Sequence, residues 1–133
     1  MKLKTLFAAL VLSFCSNFVA AAEPPLFYGQ GYSFVIQDPA AFVAAMDAYR
    51  ASPTGSKIPN TVVLSQNIVN GDYAGTHGVN VFYPTTASMD QSRAMNANSA
   101  DWMTFLSAIA AVSTPDGENL FAIERAKVKT APG

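Results

Sequence analysis

The sequence predicts an α+β fold: one antiparallel sheet of four strands with helices laid on a single face. Two observations carry this. Four stretches alternate apolar and polar residues with the period of a strand, and two regions place bulky residues at helical spacing. Their order along the chain is strand, helix, strand, strand, helix pair, strand. Clusters of Gly, Pro, Asn and Ser separate them, as turn chemistry requires.

The chain opens with a targeting segment. Lys2 and Lys4 give a positive start, residues 6–19 are largely apolar, and Ala20-Ala21-Ala22 supplies small residues ahead of Glu23-Pro24-Pro25. That is the layout of a secretory signal peptide over residues 1–22, leaving residues 23–133 as the domain. The expected location is secreted or periplasmic, with no membrane contact after cleavage. The apolar run is short for a membrane span of about 20 residues. Phe14 stands before Cys15, where a lipoprotein would need a small residue.

Tyr32, Phe34 and Ile36 alternate with Ser33, Val35 and Gln37, which predicts a first strand over Tyr32–Gln37. Gly29 and Gly31 read as a flexible lead-in; no phosphate loop is implied, because that motif follows a strand and opens a helix. Asp38-Pro39 starts a helix, with Asp as cap and Pro in the first turn. Phe42, Ala45, Met46 and Tyr49 continue it, and Ser52-Pro53-Thr54-Gly55 ends it. Thr61–Val69 is the expected second strand, with a polar centre at Ser65-Gln66-Asn67. A glycine-rich connection from Asn70 to Gly75 leads in antiparallel sense to a third strand, His77–Tyr83, stopped by Pro84.

Ser88 and Gln91 fit a capping box, predicting a short helix over Met89–Asn96. Asn98 or Ser99 caps the next helix, where Asp101 suits the dipole and Trp102, Phe105, Leu106 and Ile109 form one bulky face. Thr114-Pro115-Asp116-Gly117 reads as its closing turn, and Asn119–Val128 as the fourth strand. This is the split βαβ order of a ferredoxin-like βαββαβ fold. Right-handed crossovers leave a gap between the first two strands that the third fills. The helix-free face would carry Val35, Val63, Val69, Phe121 and Ile123 among Ser65, Asn67, Gln37 and Arg125, too apolar a surface to stand bare. A homodimer covering that face is therefore expected.

Composition excludes several functions. Cys15 is the only cysteine and leaves with the signal, so the mature chain has no disulfide, thiolate nucleophile or cysteine ligand. Losing Lys2 and Lys4 takes the basic count from 8 to 6 against 9 acids. A mildly acidic domain without a basic run has no electrostatic footprint for nucleic acid. A single histidine falls short of the three or four ligands of a zinc site, and Asp72 and Asp90 lack calcium-loop spacing, so no metal and no cofactor are expected. No G-x-S-x-G, paired carboxylate or phosphate loop occurs.

Val79-Asn80-Val81-Phe82-Tyr83-Pro84, the short helix ending near Arg93-Ala94-Met95, and Ser99-Ala100-Asp101-Trp102-Met103-Thr104-Phe105-Leu106 resemble the dimeric α/β-barrel superfamily. The pattern is most similar to its antibiotic-biosynthesis-monooxygenase and NIPSNAP-like branches and covers about Tyr32 to Val128. The resemblance implies two sheets packed face to face, with a ligand pocket between sheet and helices of each subunit. Members include cofactor-independent oxygenases, isomerases, haem-degrading enzymes and proteins without known activity, so fold does not dictate function. The oxygenase branch uses an Asn, Trp and Arg-like set, for which Asn80, Trp102 and Arg93 are loose counterparts.

The candidate ligand-binding residues are Tyr32, His77, Tyr83, Met95 and Trp102. Alternation places Tyr32, His77 and Tyr83 on the face expected to meet helices, and Trp102 heads the stripe that covers them. Histidine is the side chain whose charge changes near neutrality; His77 is either an acid/base or ligand contact, or a strand-start residue hydrogen-bonded to backbone. Trp102 is either a pocket wall or simply the bulkiest core residue, and Met89, Met95 and Met103 suit an adaptable apolar pocket. Three functions follow: a secreted domain binding an apolar small ligand, a cofactor-independent monooxygenase or isomerase, or a protein-interaction module.

Overall fold

A computed structural model describes residues 27–124. Residues 1–26, which include the expected signal segment, and residues 125–133, which include Arg125 and the predicted end of the fourth strand, lie outside the described residues. Four strands and three helices follow in order: β1 (Phe27–Ile36), α1 (Pro39–Ala51), β2 (Thr61–Gln66), β3 (His77–Tyr83), α2 (Thr86–Ala97), α3 (Ala100–Ala110) and β4 (Ser113–Ile123). The sheet order is β2-β3-β1-β4, with every neighbouring pair antiparallel. The third strand thus fills the gap between the first two, and the fold is the ferredoxin-like βαββαβ arrangement.

β1 is longer than alternation predicts. It starts at Phe27, and its two glycines lie inside the ladder, where Gly29 pairs with Phe82 and Phe121 and Gly31 with Asn80 and Asn119. Their bare backbone has a use. The Phe121 ring occupies the place a Cβ at Gly29 would take, and the Asn119 side chain does the same at Gly31. Glycine in a strand often marks such a close approach.

β2 is shorter than predicted and ends at Gln66. Beyond it Ile68 and Val69 are exposed, Val69 to 91%. The last backbone bond to the β3 side is from the Asn67 amide to the Thr76 carbonyl at 2.9 Å, and Ile68 and Val69 lie beyond it. Val69 therefore does not belong to the sheet face.

The helix after β3 also starts earlier. Its cap is Thr85, whose hydroxyl accepts from the Ser88 amide at 3.0 Å, while Ser88 Oγ accepts from the Thr85 amide at 3.1 Å. The reciprocal box is real but is Thr85–Ser88, not Ser88–Gln91. The Thr114–Gly117 turn is replaced by strand: β4 pairs with β1 from Ser113 onward. Pro115 is tolerated because β4 is an edge strand. A register shift beside Ser33 and Phe34 accommodates the extra residue Asp116, whose carboxylate accepts from Ser33 Oγ at 3.3 Å. The fourth strand, Ser113–Ile123, thus starts six residues before the predicted Asn119; the predicted continuation over residues 125–128 lies outside the described residues.

Other boundaries follow their signals. Asp38 Oδ1 accepts from the Ala41 amide at 3.0 Å, and Pro39 sits in the first turn of α1. Ser99 Oγ accepts from the Trp102 amide at 3.1 Å and starts α3. The core lies between sheet and helices. One cluster is Ile36, Phe42 and Ile109 with Phe34, Met46, Leu64, Val79, Phe105 and Leu106 around it. A second is Val81, Tyr83 and Met89, with Tyr28, Tyr32, Val62 and Val79 against it. The opposite face carries Val35, Val63, Phe82, Phe121 and Ile123 by alternation and register, with Val63 exposed and Phe82 edge-on to Phe121 at 6.0 Å. No described helix is long and apolar enough to cross a membrane.

Candidate functional site

Between the two core clusters the sheet and helices do not close. They leave a cavity of about 830 Å³, within the range of small-molecule sites. Its floor is the helix-side face of the sheet: Gln30, Tyr32 and Phe34 from β1, Val62 from β2, and Val79, Val81 and Tyr83 from β3. These are alternate residues, so the period-two rule alone puts them on one surface.

The wall over that floor comes from the three helices. α1 contributes Phe42, Met46, Tyr49 and Arg50, which recur at i, i+4, i+7 and i+8 and so share one face. α3 contributes Trp102, Phe105, Leu106 and Ile109. Tyr49 joins the two helices: its ring is 5.2 Å from Trp102, edge-on, and 5.1 Å from Phe105, stacked. Trp102 is itself aimed by the loop after α1. The Thr54 amide donates to Asp101 Oδ2 at 3.0 Å, and Ser99 Oγ donates to Thr54 Oγ1 at 2.9 Å. These bonds clamp the first turn of α3. They also hold the Asp101 carboxyl below its ordinary range, chiefly through the Thr54 amide and then the Thr54 hydroxyl.

Polar groups gather at one corner. Arg50 Nη1 donates to Asn60 Oδ1 at 2.8 Å, and Nη2 reaches the Asn60 carbonyl at 3.4 Å. Tyr49 Oη donates to Asn96 Oδ1. Burial pushes the Tyr83 phenol up from its ordinary pKa, while Asn60 and the Arg93 cation pull the other way. Tyr32 is pushed up to about 12, first by burial and then by the charges of Tyr83 and Glu118, with Arg93 opposing. Burial raises Tyr49 as well. All three phenols thus stay protonated through neutral pH; Tyr49 spends its proton on Asn96, while Tyr32 and Tyr83 can donate hydrogen bonds into the cavity. Arg93 and Glu118 are exposed lining residues, and with Ala97, Ala110, Thr114 and Pro115 they mark the mouth.

The structure brings Tyr32, Tyr83 and Trp102 together around this cavity. His77 and Met95 are not among its lining residues. His77 shares the face of Val79 but sits one row further along the strand, paired with Phe34 and Gln66. It is 7% exposed, and its Nδ1 lies 2.9 Å from Thr76 Oγ1. The Thr76 hydroxyl also accepts from the Ile36 amide at 2.9 Å, so the histidine is tied into the end of the sheet. Asn80 is on the other face, above Gly31, and lines a shallow polar depression with Ser33, Ser65, Asn67 and Asn119. Of the Asn80, Trp102 and Arg93 set, only Trp102 and Arg93 meet. Asn60 and Asn96 are the asparagines that reach the cavity.

Arg50, Asn60, Asn96 and Glu118 escaped the sequence reading. A signal for some of them was present. Met89, Arg93, Asn96 and Ala97 recur at i, i+4, i+7 and i+8, the spacing that Phe42, Met46, Tyr49 and Arg50 show on α1. A reading that follows only apolar residues passes over polar ones on the same face. Among the described residues no group of three or more His, Cys, Asp or Glu side chains comes together.

No protein-family model matches the chain, and no curated protein does. Solved structures with a similar chain path include SnoaB, a cofactor-independent oxygenase from Streptomyces nogalater, at 14% identity over 83% of this chain and 99% of that one, with a TM-score of 0.45. A dimeric protein of unknown function and ferredoxin-like fold from Bacteroides fragilis matches at 9% identity over 77% and 99% of the two chains, TM-score 0.44. An antibiotic biosynthesis monooxygenase matches at 14% identity over 76% and 99%, TM-score 0.40.

Proposed function

We propose that this chain is a small-ligand-binding protein that seats an apolar, ring-bearing molecule between its sheet and helices. The observation that supports it is the hollow of about 830 Å³ with aromatic walls on two helices and the paired Arg50 and Asn60 side chains among its lining. A domain of this size has no structural need for such a space, because unfilled interior volume weakens a core. The test is a panel of neutral and anionic aromatic compounds titrated against the protein. Binders should shift Trp102 emission and raise the melting temperature by mass action. A panel that moves neither would leave an imperfectly packed core and no site.

A second reading, a cofactor-independent monooxygenase, is favoured by Trp102, Arg93 and two asparagines sharing the cavity. It requires turnover that consumes oxygen with a phenolic aromatic substrate. Ligand binding without oxygen uptake would retain the first reading and remove the second.

The proposal extends to the protein's surroundings. The chain is exported after cleavage near Ala22, which intact mass of the exported protein checks. The helix-free sheet face is covered by a second copy, since its apolar residues would otherwise face water.

A further inference from the structure

We propose that the ligand is an organic carboxylate, its ring-bearing body along Phe34, Phe42, Trp102 and Phe105 and its carboxylate at the corner of Arg50, Asn60, Tyr83 and Arg93. This rests on the reading of the cavity as a ligand site and names the chemistry of what fills it.

Charge is the first argument. The whole chain carries a formal charge of −1. The cavity lining reverses that sign, with two arginines and a single carboxylate, Glu118. The reversal is local, and a lining of that sign favours an anion.

Position is the second. Glu118 pairs with Tyr32 across the β1–β4 ladder, so the lone carboxylate stands on the β4 side of the mouth. The arginines come from helices: Arg50 from the last turn of α1, Arg93 from α2. Asn60 holds the Arg50 guanidinium in place by two contacts. Arg93 is close enough for its charge to act on both Tyr32 and Tyr83. A planar guanidinium presents parallel N–H donors that match the two oxygens of a carboxylate. The phenols of Tyr83 and Tyr32 add O–H donors. Each of these groups is a donor, and a carboxylate is an acceptor-only headgroup.

The third argument is the gradient across the cavity. Phe42 and Ile109, lining residues that belong to the buried cluster, stand away from the two arginines of the lining. A molecule apolar at one end and anionic at the other has one orientation that satisfies both. A neutral hydrocarbon would leave the donors of the polar corner facing it unpaired, which costs binding free energy.

Calorimetric titration with a matched pair tests this: naphthalene-2-carboxylate and naphthalene-2-carboxamide, identical in body and differing in headgroup charge. At neutral pH the acid should bind about tenfold tighter or more, the scale of one charge-assisted contact. Arg93→Gln should collapse the acid-to-amide ratio, Arg93→Lys should retain part of it, and Glu118→Gln should widen it. Using a ratio within each variant cancels any general loss of folding. Equal affinity of acid and amide for the wild-type protein overturns the carboxylate proposal and leaves the cavity reading standing. Binding of neither overturns both.

Discussion

Tyr32 shows how a single side chain can report on the cavity. Its phenol is pushed from 10.0 up to about 12, with burial as the main cause, because a phenolate in the cavity would lose its hydration. The folded state therefore holds this proton more tightly than the unfolded chain. The stability this represents is complete below pH 10 and drains away as pH rises toward 12. In an alkaline absorbance titration, the wild type minus Tyr32→Phe difference should centre near 12; a difference centred at 10 would place the phenol in water. Phe42 is the complementary case. It is 1% exposed and lies between the cavity and the buried cluster. Phe42→Ala should cost ~3–5 kcal/mol by denaturant unfolding, against ~1–3 kcal/mol for Trp102→Phe, a change of shape in a half-buried ring. If Phe42→Ala were neutral, the ring would carry no packing weight and the core cluster would be misplaced. Both aromatics were conspicuous in the sequence as members of helical stripes. That a space lies between them was not, because spacing places side chains on a face without giving the distance to the opposite wall.

The helix α3 depends on its first turn. Ser99 caps it, Asp101 reaches back to the Thr54 amide, and Thr54 in turn accepts from Ser99. Ser99→Ala should lower stability by ~0.5–2 kcal/mol at any pH where the protein folds. Asp101→Asn behaves differently. The Asp101 carboxyl is held below its ordinary value of 3.8, so its contribution is present above that pH and is lost as pH falls through the lower folded value. Asp101→Asn should therefore flatten the acid limb of the stability curve, while wild type and Ser99→Ala keep the same slope there. Identical acid limbs in all three proteins would mean the Thr54 contact has no thermodynamic weight. The Ser99 cap and the first-turn Asp101 were both legible in the sequence. The partner, Thr54, lies 47 positions away from Asp101 and no local pattern points to it.

The helix-free face of the sheet is open, with Val63 exposed and Phe82, Phe121 and Ile123 half-buried. Gly29 and Gly31 form its floor, and Asn80 and Asn119 meet over Gly31. A second copy set against this face would bury the apolar rows and enclose the polar depression between Ser33, Ser65 and Asn119. Light scattering at tens of micromolar should give a dimer mass, and Val63→Asp or Ile123→Asp should halve it without loss of helical signal. A wild-type monomer at that concentration would rule the pairing out.

Alternation and helical spacing were enough to order the elements, to assign Tyr32, Phe34 and Ile36 to the covered face, and to predict where β3 lies in the sheet. These are local regularities and chirality rules, which a chain carries in its own residues. The ends of β1, β2 and β4 were different. β1 runs back through Gly29 because Phe121 and Asn119 fill the space above its glycines. β4 takes in Pro115 because it lies at an edge and can absorb Asp116 in a register shift. His77 and Tyr83 share one strand face, yet only Tyr83 reaches the cavity. Arg50, Asn60 and Arg93 line one cavity only once α1, the following loop and α2 have converged on the sheet. Each of these outcomes is a contact between residues far apart in sequence, decided by packing rather than by any pattern within the segment.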